Sequence, residues 1–262
     1  MSQAPIRRQV FEVDKFGGHH LHCGAGKNLM VVPGWALKPA TYRQVAVEFA
    51  KLGHNVVIPD LYSVIPTATK ACFESYVEAL EKVAVEAFGE EAKFDLIGHS
   101  LGGAISIEAA SALTDRIEKL VLVNAIGHPT WSKDNDVSVR SRTLIDWSSA
   151  FIQDGARSLL VSPQIFSALF DGLGEILKAP QRTIECALIA RSSDIRPAMQ
   201  RVKDSEIEVL TIWGSRDVVV TRDLFEEMTS ELGASSIVVD ANHGWPFLKP
   251  QAFAGTVQAF LA

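Results

Sequence analysis

The sequence predicts an α/β protein, a mostly parallel, doubly wound sheet carrying an inserted helical cap. Three observations lead there. Short apolar runs alternate with stretches of helical period from residue 28 onward, which is the pattern of parallel βαβ units with helices on both faces. That alternation breaks after Asn124 and resumes at Glu206, so something helical is inserted between. Finally, 262 residues at 47% hydrophobic and 21% charged are enough to bury one large core.

The elements follow in order. Arg8 to Val13 and His19 to Cys23 are β-like around the turn signal Gly17-Gly18, and they read as a hairpin. Gly24-Ala25-Gly26-Lys27 reads as a second hairpin turn. Asn28 to Val32 is a buried strand ended by Pro33-Gly34. Thr41 to Leu52 has helical spacing with Gly53 just past it, and His54 to Ile58 is a strand stopped by Pro59. Helical Phe73 to Phe88 then leads to strand Phe94 to Ile97, and helical Leu101 to Leu113 to strand Ile117 to Val123. Gly127 to Asp194 offers helix-like pieces and no strand. Strand Ile207 to Trp213, helix Thr221 to Leu232, strand Ser236 to Val239 and helix Gln251 to Leu261 close the chain. The implied division is a core of residues 1–128 and 195–262 with a helical cap at 129–194.

Composition excludes several classes. A net charge of −6 without any basic run argues against nucleic acid as a partner. No segment approaches about 18 uninterrupted apolar residues, and the first residues lack a signal-like apolar stretch, so the expectation is a cytoplasmic protein with no membrane span. Cys23, Cys72 and Cys186 form no close pair, which argues against a disulfide framework or thiolate metal site. His19, His20, His22 and Cys23 invite a metal reading, but only His20 and His22 could share a strand face and no second ligand pair follows. Gly24-Ala25-Gly26-Lys27 lacks the length of a phosphate loop, and no Rossmann fingerprint follows a strand, so no cofactor is expected. Nothing in the sequence specifies an oligomeric state.

The chemistry sits elsewhere. Gly98-His99-Ser100-Leu101-Gly102 fits G-x-S-x-G between a strand and a helix. A serine on so sharp a turn has a strained backbone, tolerable only where Gly98, Gly102 and Gly103 let strand and helix approach. Serine is a poor nucleophile at neutral pH without a base, and His243 supplies one from the loop Asp240-Ala241-Asn242-His243-Gly244 after a strand. The imidazolium formed during attack needs an acid, and Asp217 fits, in Gly214-Ser215-Arg216-Asp217 after the strand ending at Trp213. An anionic intermediate needs preorganised donors, and the backbone amide of Leu101 stands at a helix start directly after the serine.

In this order of serine, acid and histidine the sequence resembles the α/β-hydrolase superfamily over nearly the whole chain outside the insertion. Some members place the acid one strand earlier, but the matching residue is Asn124, which cannot carry the charge, and this favours Asp217. Pro33-Gly34-Trp35-Ala36-Leu37 looks like the family's His-Gly-x oxyanion element with Pro33 in place of the histidine, so Trp35 is the expected second amide donor and the loop must be held differently. The resemblance also implies a cap whose inner face lines the substrate pocket. Trp131, Trp147, Phe151, Phe166 and Phe170, with Trp245 just past His243, are therefore expected pocket residues, against the plainer reading that they are core. Arg140, Arg142, Arg182 and Arg191 could grip a substrate carboxylate, with solvated surface arginine as the plainer reading.

The expected activity is hydrolysis of a small-molecule acyl substrate, a carboxylic ester of modest size, through an acyl-enzyme. A carbon–carbon bond hydrolase of diketones ranks second, because the usual surroundings of its nucleophile are not evident in His99 and Leu101. A ligand-binding protein that keeps the pocket but turns little over is the alternative from another class. Dehalogenation and epoxide hydrolysis are disfavoured, since the turn presents Ser100 rather than a carboxylate.

Overall fold

The apolar runs become β1 (His20–Gly24), β2 (Lys27–Val32), β3 (His54–Pro59), β4 (Phe94–His99), β5 (Ile117–Val123), β6 (Glu208–Gly214) and β7 (Ser235–Val239). This is a computed structural model, and it describes residues 20–127, 174, 177–192 and 194–262. The strands form one seven-stranded sheet in the order β1-β3-β2-β4-β5-β6-β7. Strands β2 to β7 pair in parallel, and β1 runs antiparallel to β3 at the edge.

Because successive side chains on a strand point to opposite faces, one sheet feeds two cores. Met30, Val32, Val57, Leu96, Leu120, Leu122 and Trp213 face a layer made by α2 (Phe73–Phe88), α3 (Leu101–Ala112), α5 (Arg196–Lys203) and α6 (Arg222–Leu232). Their neighbours Leu29, Val31, Val56, Ile58, Ile97, Val121, Val123, Leu210 and Ile212 face α1 (Arg43–Lys51) and α7 (Pro250–Leu261). Each fully buried aliphatic side chain is worth about 1.5–3 kcal/mol, so both layers are strongly specified. A mostly parallel doubly wound α/β sheet is what the sequence predicts.

Two details depart from the sequence reading. The Gly24–Lys27 segment is not a hairpin turn, because β3 lies between β1 and β2. The segment instead folds onto the start of β3. A Cβ on Gly24 would stand 2.3 Å from the His54 carbonyl oxygen and one on Gly26 2.0 Å from that of Gly53, and the Lys27 amide donates to Gly53 O at 3.1 Å. The second departure is α5, a helix in a stretch the sequence reading left unassigned. The predicted strand Arg8 to Val13 lies outside the described residues.

The connections create the crevice. Chain leaving β2 returns through α1 on one face to β3, then crosses through α2 on the other face to β4, on the opposite side of β2. Strand order therefore reverses between β2 and β4, and ligands of open α/β sheets bind outside the carboxyl ends at such a point.

Helix α4 (Pro180–Ser192) docks beside this crevice. Buried Arg182 donates from Nη2 to the carbonyls of Pro66 at 3.1 Å and Thr69 at 3.0 Å, and from Nη1 to Glu185 at 3.1 Å. It is not a solvated surface arginine, because Nη2 is spent on the 65–69 loop and Nη1 on Glu185. Arg140, Arg142 and the side chain of Arg191 lie outside the described residues. Among the described residues no helix is long and apolar enough to cross a membrane.

Candidate active site

Ser100 joins β4 to α3 at φ 55°, ψ −121°, a conformation that costs a non-glycine residue about 1–3 kcal/mol. Surrounding bonds hold it there: its amide donates to Val123 O at 3.0 Å, and its carbonyl accepts from Gly103 at 2.9 Å and Ile126 at 3.2 Å. The turn also needs bare backbone beside it. A Cβ on Gly102 would lie 2.3 Å from Val32 O and 2.4 Å from Pro33 O, both main-chain atoms unable to swing away. Gly102→Ala is therefore expected to destabilise the protein by about 3 kcal/mol, read as a lowered denaturant midpoint, since overpacking against fixed backbone sits at the costly end of its range. An unchanged midpoint would mean that strand and helix can part.

Asp217 and His243 follow the ends of β6 and β7. Asp217 accepts the amides of Val219 at 2.7 Å and Val220 at 2.9 Å on Oδ1, which fixes its carboxylate, and meets His243 Nδ1 at 2.7 Å with Oδ2. Both side chains are buried. A neutral imidazole that donates from Nδ1 carries its lone pair on Nε2. The rings of His243 and His99, the residue before Ser100, have centroids 5.0 Å apart, so serine, imidazole and carboxylate gather at one sheet end.

His99, expected from the sequence to pack beside Ser100 in a supporting role at most, and Asn124, set aside there as an acid, pin His243 by its main chain. Its carbonyl accepts from His99 Nε2 at 2.9 Å and from Asn124 Nδ2 at 3.0 Å. Asn124 also accepts the Gly214 amide at 2.9 Å, tying β5 to β6 and to the histidine loop. Its φ of 46° is left-handed, a region asparagine enters more readily than most residues. That tolerance was the one signal available in the sequence.

With Pro33 where the resembling family has histidine, tyrosines hold the loop after β2. Gly34 N donates to the Tyr42 hydroxyl at 3.2 Å, Ala36 N to the Tyr62 hydroxyl at 3.0 Å, and Leu37 N to Gly34 O at 3.3 Å. A Cβ on Gly34 would stand 3.3 Å from Ser100 Cβ, so this loop abuts the serine. Trp35 follows at once, its indole donating to Thr183 O at 3.1 Å and thereby reaching α4. Leu101 is the first residue of α3.

Trp245 is buried in the layer beneath the sheet, edge-on to Phe253 at 5.1 Å between centroids. Trp131, Trp147, Phe151, Phe166 and Phe170 lie outside the described residues. His22 meets Asn55 Oδ1 at 2.6 Å, and among the described residues no group of three metal-capable side chains gathers.

Burial, and secondarily the neighbouring imidazole of His243, pushes the pKa of His99 down from 6.5 to about 3. Between those values the unfolded chain binds a proton that the folded one refuses. His99's contribution to stability is thus complete above pH 6.5 and is lost as pH falls towards 3, at up to about 1.4 kcal/mol per pH unit. Unfolding free energies measured from pH 3 to 7 should fall less steeply for His99→Gln than for the wild type; parallel curves would refute the assignment.

Comparisons with known proteins show the family and the fold. A family model described as the alpha/beta hydrolase family matches residues 29–256. The chain is 26% identical to a pimeloyl-[acyl-carrier protein] methyl ester esterase of Neisseria meningitidis over 184 residues, covering 65% of this chain and 70% of the relative. Its fold resembles a bromoperoxidase from Bacillus anthracis (TM-score 0.73, 19% identity, 92% of this chain and 94% of that one). It also resembles the enol-lactonase from Burkholderia xenovorans LB400 (TM-score 0.70, 17% identity, 93% and 95%).

Proposed function

Since the chain belongs to the alpha/beta hydrolase family, we propose that it is a serine hydrolase that cleaves a carboxylic ester through an acyl-enzyme. Ser100 Oγ attacks the carbonyl carbon while His243 Nε2 takes its proton, and Asp217 stabilises the imidazolium that results. The amides of Leu101 and Trp35 receive the oxyanion. Collapse expels the alcohol, protonated by His243; water then attacks the acyl-enzyme with His243 again as base, and the acid leaves. The observation that carries this reading is the buried 2.7 Å pairing of His243 with Asp217 at the sheet end where Ser100 is held in its strained turn.

An ester is favoured because the Neisseria relative is named for a methyl ester, and the abutting Gly34 supports Trp35 as the second donor. We assign residues 129–194 to a cap over the crevice, with Trp131, Trp147, Phe151, Phe166 and Phe170 among the side chains that meet the acyl substrate, whereas Trp245 belongs to the core. The helical docking of α4 within that span supports this. Cys23, Cys72 and Cys186 are all free thiols, which suits a cytoplasmic protein.

The test is a fluorophosphonate probe followed by peptide mapping, beside a panel of esters with graded acyl chains and a few diketones. Labelling at Ser100 with ester turnover is expected. A folded protein that takes no label there is a binder rather than an enzyme, and diketone cleavage outrunning every ester would move the assignment to carbon–carbon hydrolysis.

A further inference from the structure

His99 sits between the machinery's parts, and its hydrogen bonds have only one consistent direction. The His243 carbonyl can only accept, so Nε2 of His99 must carry the proton across that 2.9 Å contact. Nδ1 is then an acceptor, and the Tyr42 hydroxyl must donate to it at 2.5 Å. The Tyr42 oxygen in turn accepts the Gly34 amide at 3.2 Å. Tyr42 and His99 are essentially inaccessible to solvent, and Phe247 lies edge-on to both at centroid distances of 5.6 and 6.1 Å, so water cannot substitute for either partner. The result is one buried line of bonds from the loop after β2, through the residue preceding the nucleophile, to the backbone of the base.

Resting on the serine hydrolase reading above, we propose that His99 is a positioning residue that, with Tyr42, holds the main chain of His243 in register with Ser100 and with the oxyanion loop. Any buried imidazole needs partners on its nitrogens; what marks this one is that its two partners lie on, or directly hold, the two loops that must converge on Ser100. An apolar side chain of similar size would preserve the packing. It would also strand the Tyr42 hydroxyl and leave the His243 carbonyl to Asn124 alone. Small displacements of this kind, away from the reacting atoms, cost up to about 100-fold in rate.

The experiment compares His99→Leu, His99→Gln and Tyr42→Phe with wild type. It reads the second-order rate of fluorophosphonate labelling at Ser100, kcat and KM on a p-nitrophenyl ester, and folding by circular dichroism. Glutamine can still donate near the Nε2 position, whereas leucine only fills volume. His99→Leu is expected to slow labelling and kcat by about 10- to 100-fold with KM within about twofold. His99→Gln should recover to within about threefold of wild type, and Tyr42→Phe should lose about tenfold. Any result in which glutamine does not outperform leucine, or in which leucine labels at the wild-type rate, overturns the proposal. If His99→Leu does not fold, Tyr42→Phe decides, and a wild-type rate there overturns it equally. A wild-type protein that takes no label at Ser100 sinks the hydrolase reading itself, a failure visible before any variant is made.

Discussion

Replacing Ser100 with alanine is expected to lower ester turnover on the order of 10⁵-fold while the protein stays folded. Activity should vanish because the hydroxyl that forms the acyl-enzyme is gone; what remains is the catalysis that oxyanion donors and binding supply alone. Stability should survive for a separate reason. The conformation at φ 55° is imposed by main-chain bonds to Val123, Gly103 and Ile126, and alanine keeps all of them. Alanine at that φ bears a steric cost close to that of serine, so the unfolding midpoint should move by less than about 1 kcal/mol equivalent. Turnover is read with the best ester from the graded panel, and folding by circular dichroism and denaturant titration. Near wild-type hydrolysis by the folded variant would reject Ser100 as the nucleophile.

The contrast between what could and could not be read from the chain follows from the range of the forces involved. Runs such as Leu29 to Val32 and Leu120 to Val123 announce strands because burial on both faces demands continuous apolar sequence, and Pro33, Gly53 and Pro59 punctuate them locally. The pairing of β1 with β3 carries no such mark. It depends on His20 to Gly24 finding Asn55 to Pro59, a non-local choice that the neighbouring glycines imitate with a false hairpin. Helix α5 escaped because it is eight residues long and mostly polar, with Ala198, Met199 and Val202 alone turned inward.

At the site, Ser100, Asp217 and His243 each follow a strand, and strand order and motif context together marked them as candidates; the structure pairs His243 with Asp217 at 2.7 Å. Tyr42, Tyr62 and Asn124 were not so marked, since each acts by reaching a main-chain atom on another segment. Arg182 misled for the opposite reason: arginine is ordinarily exposed, and only the open carbonyls of the 65–69 loop, with Glu185, make its burial tolerable.

Exchanging Asp217 for asparagine should lower kcat by about 10⁴-fold with little change in stability, and the hydrogen bonds say why. The amides of Val219 and Val220 both point at Oδ1, so the asparagine oxygen must take that place and its NH2 must face His243. An NH2 group can only donate, which forces the lone pair of His243 onto Nδ1 and the proton onto Nε2. The imidazole then presents a hydrogen towards the serine where a base is required, and the imidazolium formed by any residual turnover has no carboxylate beside it. Asp217→Ala separates the two roles of this side chain. It removes the acceptor for both amides as well, so it should lose comparable activity and, in addition, about 2–4 kcal/mol of stability from two buried donors left unmet. Kinetics on the same ester and paired denaturation curves read both effects. If Asp217→Asn stayed within about tenfold of wild type, the carboxylate would not be orienting His243 and the acid would have to be sought elsewhere at the sheet end.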